Sequence, residues 1–391
     1  MDLTVIGMMS GTSFDAVDAA VARLSLAGDV VTLTPLGLHS EDMPADLRAR
    51  IGAALPPAAT SLEEVCRLDT ELGRLFGRVA ATADRGPGGG TADLVVSHGQ
   101  TVFHWVEGGT AHGTLQLGAA AWIAAGCGLP VVSDLRSRDL TLGGHGAPLA
   151  STLDALLLLS DDVARGALNL GGIANLTLRA PDGRIVAYDI GPASALLDGV
   201  VAELTGGAER MDRDGVRAAR GTVDEQLLAG LLDEPYYRLP APKSTGKELF
   251  HARYVRDAVG SRVIADDDLL ATLTELTARL VAGACAEHGL AELVVAGGGV
   301  RNPVLMARIA ALAPATRIRP VEDFGLPAQG KEAYLFALLG YLTVHGLPGT
   351  IASATGASAG SVLGSLTPGR APLRLPEPAA RSPRRLRVAA P

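Results

Sequence analysis

The first strand-like segment of the chain runs into a short polar turn whose residue types could bind an anionic group. Ser10, Gly11, Thr12 and Ser13 offer backbone N–H groups and hydroxyls at a tight bend without bulky side chains. Such a turn can hold a phosphate group, because glycine allows a close approach of the backbone. A glycine turn between two strands is also typical of an ordinary hairpin. The turn alone therefore leaves both interpretations open.

A second turn of the same kind lies about 160 residues further along the chain. Gly171 and Gly172 follow one apolar run and precede another. Two similar strand–turn–strand units indicate an internal duplication rather than a coincidence. We expect a nucleotide to be clamped between two related domains, with one turn from each.

A third glycine-rich element follows the apolar run at residues 293–296. Gly297, Gly298 and Gly299 are consecutive, and Asn302 and Pro303 then mark the start of a helix. Three glycines in a row favour a close approach of the backbone to a flat ligand such as a nucleoside. The alternative is a tight turn between a strand and a helix.

Asp189 is the carboxylate whose position best suits catalysis. It ends an apolar strand directly before Gly191 and Pro192. The carboxyl end of a strand is where open α/β sheets place their sites. There the carboxylate could act as a general base for water or for a sugar hydroxyl. The spacing alone favours the alternative, an aspartate that caps a turn.

Two further segments carry side chains suited to a polar ligand. His98 and Gln100 follow a buried strand, so that an imidazole and an amide could contact a substrate there. Arg136 and Arg138 precede a glycine-rich loop, and the arginine fork suits a carboxylate or a phosphate. A satisfied core histidine and structural ion pairs are the alternatives.

The apolar periodicity predicts the elements that must position these residues. Strands are predicted at residues 93–97, 129–132, 168–178 with 184–189, and 293–296, and helices at residues 44–55, 61–83, 151–159, 267–288, 302–312 and 331–345. Because strands alternate with helices but hairpins also occur, we expect an α/β protein with mixed sheets. From about residue 367 onward proline and arginine dominate, and we expect a disordered tail.

The composition excludes several classes of protein. The 391 residues carry a net charge of −8, which argues against a general binder of nucleic acid or of anionic membranes. No apolar run approaches the ~20 residues that span a bilayer, and we expect no signal peptide. The three scattered cysteines fit buried thiols in a reducing cytoplasm. The glycine patterns of a simple Rossmann fold and of a P-loop are both missing.

Taken together, eight motifs resemble those of the anhydro-N-acetylmuramic acid kinases, and they occur in the family's order. They lie at residues 9–18, 97–101, 134–139, 143–148, 168–175, 243–246, 297–303 and 331–333. The resemblance covers residues 1 to about 366 and implies the actin, hexokinase and heat-shock ATPase superfamily. The implied fold is α/β, with two ribonuclease-H-like domains, mixed sheets and an interdomain cleft. The implied domains are residues 1–132 with a returning segment at about 352–366, and residues 133–351.

The resemblance also implies a coupled reaction. ATP with Mg²⁺ would phosphorylate the 6-oxygen of 1,6-anhydro-N-acetylmuramic acid while water opens the anhydro bridge, giving N-acetylmuramic acid 6-phosphate in cell-wall recycling. Asp189 would activate the water. The implied ATP contacts are Gly11, Thr12, Ser13, Phe14, Asp15, Ala16, Val17, Asp18, Gly171, Gly172, Gly297, Gly298 and Gly299. The implied sugar contacts are His98, Gln100, Arg136, Arg138 and Glu332.

The chain departs from the family pattern near these motifs. Ile190 and Ser194 stand where the family has threonine and asparagine. The other departures are Ala16, His145 and Gln329, where glycine, glutamine and aspartate are usual. They leave two alternatives, a kinase for a different anhydrosugar or sugar and a nucleotide-binding sensor without turnover. A homodimer is one option for the assembly.

Overall fold

The computed structural model describes residues 2–11, 14–56, 58–159, 162–246, 249–327 and 330–390. The chain forms two units, Met1–Leu157 with Phe324–Pro391 (unit 1) and Leu158–Asp323 (unit 2). These boundaries differ from the predicted ones. Residues 133–157 and 324–351 belong to unit 1, because the helix that begins at Lys331 packs on the first sheet.

Unit 1 is built on a seven-stranded mixed sheet with the order β13-β7-β4-β1-β2-β3-β14. Strands β1, β2 and β3 pair antiparallel, whereas β4 and β7 continue the sheet in parallel from β1. A separate hairpin is formed by β5 and β6. The strands of unit 1 are β1 Leu3–Met9, β2 Ala16–Ala27, β3 Val30–Asp42, β4 Leu94–Ser97, β5 Gln100–Glu107, β6 Thr110–Leu117, β7 Val131–Ser133, β13 Ser365–Thr367 and β14 Arg385–Val388.

Helices cover the first sheet. The side chains of Ile6 and Met8 in β1 pack with α2 in one apolar core, and residues on the other face of β1 contact α12. The alternation of side chains along a strand produces these two faces. The helices of unit 1 are α1 Ala45–Ala54, α2 Leu62–Arg85, α3 Ala120–Cys127, α4 Ser137–Leu140, α5 Ala150–Leu157, α12 Lys331–Val344 and α13 Ala352–Thr355.

Unit 2 repeats the central topology of unit 1. Its five-stranded sheet has the order β10-β9-β8-β11-β12, with three antiparallel strands followed by two parallel ones. The strands are β8 Arg165–Leu170, β9 Ile173–Arg179, β10 Ile185–Pro192, β11 Glu292–Ala296 and β12 Arg317–Pro320. The same order occurs in β3-β2-β1-β4-β7. This repetition confirms the predicted internal duplication and the ribonuclease-H-like character of both units.

The helices of unit 2 form two apolar cores that share α10. They are α6 Ser194–Leu204, α7 Val216–Arg220, α8 Glu225–Leu232, α9 Ala252–Val259, α10 Asp266–Glu287 and α11 Pro303–Leu312. Short 3₁₀ turns lie at Arg213–Gly215, Pro235–Arg238, Gly298–Arg301 and Val321–Phe324. Among the described helices α10 alone has the length and composition to cross a membrane, but 72% of its apolar window is buried inside the protein, as in a core helix.

The predicted helix starts are confirmed at two positions. Ser61 accepts a hydrogen bond from the N–H of Glu64 and caps α2. Asn302 accepts from the N–H groups of Val304 and Leu305 at 3.1 Å and caps α11. In both cases a short polar side chain satisfies N–H groups that have no partner within the helix.

The tail differs from the expected disordered segment. Strand β14 pairs in parallel with the edge strand β3, and Leu386 is buried there. The backbone N–H of Arg384 also donates to the carbonyl of Asp29 at 2.8 Å. The open edge of β3 offers unpaired backbone groups, which explains why a polar tail can order against it.

Strand β1 and helix α12 approach each other so closely that a side chain is excluded between them. A Cβ on Gly7 would lie 2.0 Å from the carbonyl oxygen of Ala333 and 2.3 Å from the nitrogen of Ala337. A Cβ on Gly340 would likewise lie 2.0 Å from Val96 Cγ2. The beginning of α12 is therefore fixed directly against the backbone of β1.

We expect Gly7→Ala to lower the free energy of unfolding by about 3 kcal/mol or more, because neither backbone can move aside without disturbing the sheet. The matched control is Gly283→Ala in α10, where a Cβ meets no heavy atom within 4 Å. The control should gain up to about 1 kcal/mol from helix propensity. Urea unfolding of both variants measures the difference. A Gly7→Ala variant as stable as the control would contradict the close approach.

Candidate functional site

The turn after β1 is held by the side chain of Gln100. The Ser10 hydroxyl donates to Gln100 Oε1 at 2.7 Å, and Gln100 Nε2 donates to the carbonyl oxygens of Gly11 at 3.3 Å and Thr101 at 3.1 Å. Ser10 and Gln100 are both buried. The amide that the sequence assigned to the sugar therefore fixes the backbone of the first turn.

The other predicted ATP contacts in this segment have different surroundings. Thr12 and Ser13 lie outside the described residues. The side chain of Asp15 is exposed, and Val17 is fully buried in the core, so that its side chain packs rather than faces solvent. Half-buried residues of this segment are Phe14, Ala16 and Asp18.

The second turn, between β8 and β9, is held by the start of α6. The carbonyl oxygen of Gly171 accepts from the N–H of Ser194 at 3.1 Å. The carbonyl oxygen of Gly172 accepts from the N–H groups of Ala193 at 2.9 Å and Ala195 at 3.0 Å. The first N–H groups of a helix lack partners within it, and here they fix the turn. Both turns thus stand at the same place in the two repeated sheets, each held by a separate element.

The three glycines after β11 have different reasons to be glycine. Gly297 has a φ of +93°, and a Cβ there would lie 2.6 Å from the Leu170 carbonyl oxygen. A Cβ on Gly299 would lie 2.8 Å from the Cβ of Leu170. Gly298 is exposed, and a Cβ on it would meet nothing within 4 Å. Packing against β8 therefore explains two of the glycines, and the open position of Gly298 is accessible to a ligand.

A groove of about 600 Å³ lies beside α11, the helix that follows these glycines. Its apolar walls include Ala218, Ala271, Val304 and Ala307. One wall ends at the carboxylate of Glu275, which forms ion pairs with arginines on α10 and α11. These ion pairs hold the Glu275 pKa below its usual value. The groove can accept a flat apolar group.

Asp189 lies in β10 at a bulge, where the register with β9 shifts between Asp189 and Gly191. Its Oδ1 accepts from Asn175 Nδ2 at 2.8 Å, and its Oδ2 accepts from the N–H of Thr245 at 2.9 Å. Asn175 is the residue directly opposite in β9. Two donors thus fix the orientation of this half-buried carboxylate.

The loop that supplies the Thr245 donor is itself tied to β10. The carbonyl oxygen of Lys243 accepts from the N–H of Asp189 at 3.0 Å. Lys243 Nζ donates to the carbonyl oxygen of Tyr237 at 2.9 Å and lies 4.9 Å from the centre of the Tyr236 ring. Partial burial lowers the pKa of this amine. Lys247, at the end of the same motif, lies outside the described residues.

In unit 1 the structure brings His98 and Arg136 together at the carboxyl end of β4. Arg136 donates to His98 Nε2 from Nε at 3.0 Å and from Nη2 at 2.8 Å, and its Nη1 donates to the Gly146 carbonyl oxygen at 2.6 Å. The loop at Gly146 is fixed by the fully buried Asp139, whose carboxylate accepts from the Gly146 N–H at 2.8 Å. Desolvation lowers the Arg136 pKa to about 10, so that the guanidinium stays charged at neutral pH.

Glu332 is presented to solvent in the first turn of α12, beside a buried ion pair. The preceding Lys331 is buried, and its Nζ lies 2.6 Å from Asp154 Oδ1 on α5. Although Glu332 is exposed, protein atoms around its carboxyl displace part of the surrounding water, and this desolvation raises its pKa. The positive charges of Lys331 and Arg136 oppose this rise, whereas the negative charge of Asp18 adds to it. These charged groups therefore share one region of unit 1.

Arg138 does not join this cluster. It is exposed in the short helix α4, and among the described residues its guanidinium has no hydrogen-bond or ion-pair partner. His145 is half-buried, and its backbone N–H donates to the Thr355 carbonyl at 2.9 Å. Gln329, the departure before α12, lies outside the described residues.

Comparison with known proteins decides the family. A model of the anhydro-N-acetylmuramic acid kinase family matches residues 3–369. A protein of that name from Streptomyces coelicolor is 56% identical over 387 residues, which cover 99% of each chain. Another from Rhodococcus erythropolis is 51% identical over 375 residues, 94% of each chain.

The chain belongs to the anhydro-N-acetylmuramic acid kinase family. Solved structures with a distant likeness include the activator of a 2-hydroxyisocaproyl-CoA dehydratase from Clostridium difficile, at a TM-score of 0.40 and 14% identity, covering 86% of this chain and 93% of that one. A ROK hexokinase from Thermus thermophilus matches at a TM-score of 0.35 and 14% identity, covering 87% and 99%.

The structure shows the surroundings of two departures from the family pattern in this kinase. Ile190 is buried in the core of unit 2, together with Leu168 and Leu176, so that its side chain packs rather than lies beside the Asp189 carboxylate. Ser194 begins α6, and its backbone N–H holds the second turn through Gly171. Neither observation favours a sugar different from the one in the family's name.

Sequence reasoning assigned no role to Asn175, Thr245 or Asp154. Asn175 lies opposite Asp189 in the β9–β10 hairpin, so that its spacing from the hairpin turn could have revealed it. Thr245 bonds Asp189 across 56 residues of chain. Asp154 pairs with Lys331 across more than 170 residues. No local pattern signals such contacts.

We expect Lys331→Met to lower the free energy of unfolding by about 3–5 kcal/mol, because it leaves the buried Asp154 carboxylate without its cation. The double variant Lys331→Met with Asp154→Leu should recover most of that loss, since it removes both charges. Chemical denaturation of the two variants measures the recovery. Equal stability of the single and double variants would contradict a buried pair.

Proposed function

We propose that this enzyme uses ATP to phosphorylate the 6-oxygen of 1,6-anhydro-N-acetylmuramic acid while water opens its anhydro bridge. Family membership supports the substrate class, and the kinase name of the relatives supports ATP as the phosphoryl donor. The observation that carries the proposal is the Asp189 carboxylate, oriented by Asn175 and Thr245 at the bulge in β10.

The ATP contacts follow from the two repeated turns and the third glycine element. We assign phosphate contacts to the backbone of the two turns, through the N–H groups of Gly11 and Gly172. Gly171 belongs to the second turn, where its N–H donates to the carbonyl oxygen of Ile173 at 3.2 Å and so shapes the turn. The exposed Gly298 would contact the adenosine, and the apolar groove beside α11, the helix that follows these glycines, suits the adenine ring.

The sugar contacts are assigned to the charged groups of unit 1. Arg136 keeps two guanidinium N–H groups without an acceptor among the described residues, and these can donate to oxygens of the sugar. Glu332 is exposed, and its carboxyl oxygens can accept hydrogen bonds from sugar hydroxyls. Gln100 acts through the first turn instead of touching the sugar.

When bound, Mg²⁺ would neutralise the charge of the ATP phosphates, and one or two protein carboxylates would hold it. Asp18 fits this need, since its half-buried carboxylate follows the first turn and lies close enough to Glu332 to affect its pKa. We therefore assign Asp18 as the residue that would hold Mg²⁺.

The proposed reaction consists of one proton transfer and two bond exchanges. Asp189 accepts a proton from water, and the water oxygen forms a bond to the anomeric carbon as the bond from that carbon to O6 breaks. O6 forms a bond to the γ-phosphorus of ATP, and ADP leaves. The products are N-acetylmuramic acid 6-phosphate and ADP. We place this reaction in the cytoplasm, where ATP is available, as a step in reusing cell-wall sugar.

Asp189→Asn should lower the rate of sugar phosphorylation by about 10³-fold or more, because an amide accepts no proton at neutral pH and a general base contributes about 10²–10⁴-fold. The KM for ATP should change little. The control is Asp182→Asn, which makes the same exchange at an exposed residue paired with Arg184. Coupled measurement of ADP release and sugar phosphate gives both rates. An Asp189→Asn enzyme with a tenth of the original activity would contradict the assigned role.

A further inference from the structure

Both ring nitrogens of His98 are engaged in the folded protein. The residue is 3% exposed at the carboxyl end of β4. Its Nδ1 lies 2.9 Å from the carbonyl oxygen of Gly99, and its Nε2 lies 2.8–3.0 Å from two nitrogens of Arg136. The Phe336 ring of α12 packs on the imidazole with 4.7 Å between ring centres.

These contacts fix the tautomer of the imidazole. The Arg136 guanidinium can only donate, so His98 Nε2 must carry a lone pair. The Gly99 carbonyl can only accept, so the hydrogen must reside on Nδ1. The ring is therefore neutral. Burial and the charge of Arg136 agree with this state, since they lower the His98 pKa to about 3.

The same contacts restrain the guanidinium. His98 accepts along one edge of Arg136, and the Gly146 carbonyl accepts from Nη1. Three of the five N–H groups are thereby used, which leaves two for a ligand among the described residues. Phe336 holds the imidazole from α12, four residues after Glu332. The orientation of Arg136 and the position of Glu332 thus depend on the same packing.

We propose that His98 is a positioning residue, a neutral hydrogen-bond acceptor that orients Arg136 toward the sugar and transfers no proton itself. The contact between Arg136 and the sugar rests on the proposed function. The protonation state and tautomer of His98 do not depend on it, and they can be tested without turnover.

The first test uses ¹⁵N-histidine NMR on the whole chain without ligands. His98→Gln identifies the His98 signals among the eight histidines. We expect a neutral ring with the hydrogen on Nδ1 that does not titrate between pH 5 and 8. The charged groups near the ring are Arg136 itself and, through Arg136, Glu332 and Asp139. A His98 signal that titrates in this range, or a hydrogen on Nε2, overturns the proposal.

The second test compares two replacements kinetically. His98→Leu removes the acceptor, and we expect kcat/KM for the anhydrosugar to fall about 100-fold, the effect of a misplaced binding group. His98→Gln places an amide oxygen near the position of Nε2 and should recover at least tenfold of that loss. The KM for ATP should stay within about threefold in both, and thermal unfolding checks that both fold.

A double-mutant cycle separates positioning from a merely structural role. In an Arg136→Ala background, His98→Leu should add less than about threefold to the loss, because the group that His98 orients is already gone. Independent, multiplied losses would overturn the proposal, as would a His98→Gln enzyme as impaired as His98→Leu. A wild-type enzyme that leaves the anhydrosugar unchanged contradicts the proposed function, and the NMR result then still decides the state of His98.

Discussion

The close approach of α12 to β1 at Gly7 fixes the positions of the charged residues at the start of α12 in unit 1. Because no side chain separates the two backbones, the first turn of α12 has one position relative to the sheet. That position buries Lys331 against Asp154 and presents Glu332 to solvent. The buried pair supplies little net stability by itself, since desolvation offsets its attraction, but it specifies where the helix begins.

In unit 2 hydrogen bonds, instead of close backbone packing, fix the position of the candidate site residue Asp189. The β9–β10 pairing places Asn175 opposite Asp189, and the N–H of Thr245 supplies the second donor to the carboxylate. Lys243 ties the donor loop to the strand. A carboxylate held from two sides loses little further freedom when it reacts, which is how a protein prepares a general base in advance.

The sequence predicts local features well and distant ones poorly. The paired glycine turns, the caps at Ser61 and Asn302 and the long helices follow from short-range patterns, and the structure confirms them. The sequence places residues 324–351 in the second domain, whereas the structure places them in unit 1. The packing of α12 on β1 decides this, and no local pattern indicates it. The resemblance implies that Gln100 and Arg138 contact the sugar, and this stays a prediction. The structure adds that Gln100 holds the first turn and that Arg138 is exposed, which the sequence did not indicate. Contacts across many residues decide such cases, and periodicity carries no information on them.

We infer that phosphorylation of the sugar and its opening by water are one coupled reaction. It is tested most directly by incubating the enzyme, ATP and 1,6-anhydro-N-acetylmuramic acid in ¹⁸O-water and locating the label by mass spectrometry. The control is unlabelled N-acetylmuramic acid 6-phosphate in the same water, which measures exchange without enzyme. For the coupled reaction we expect one ¹⁸O at the anomeric carbon of the sugar phosphate and none in its phosphate group. Label found in inorganic phosphate while the anhydrosugar stays intact would contradict it.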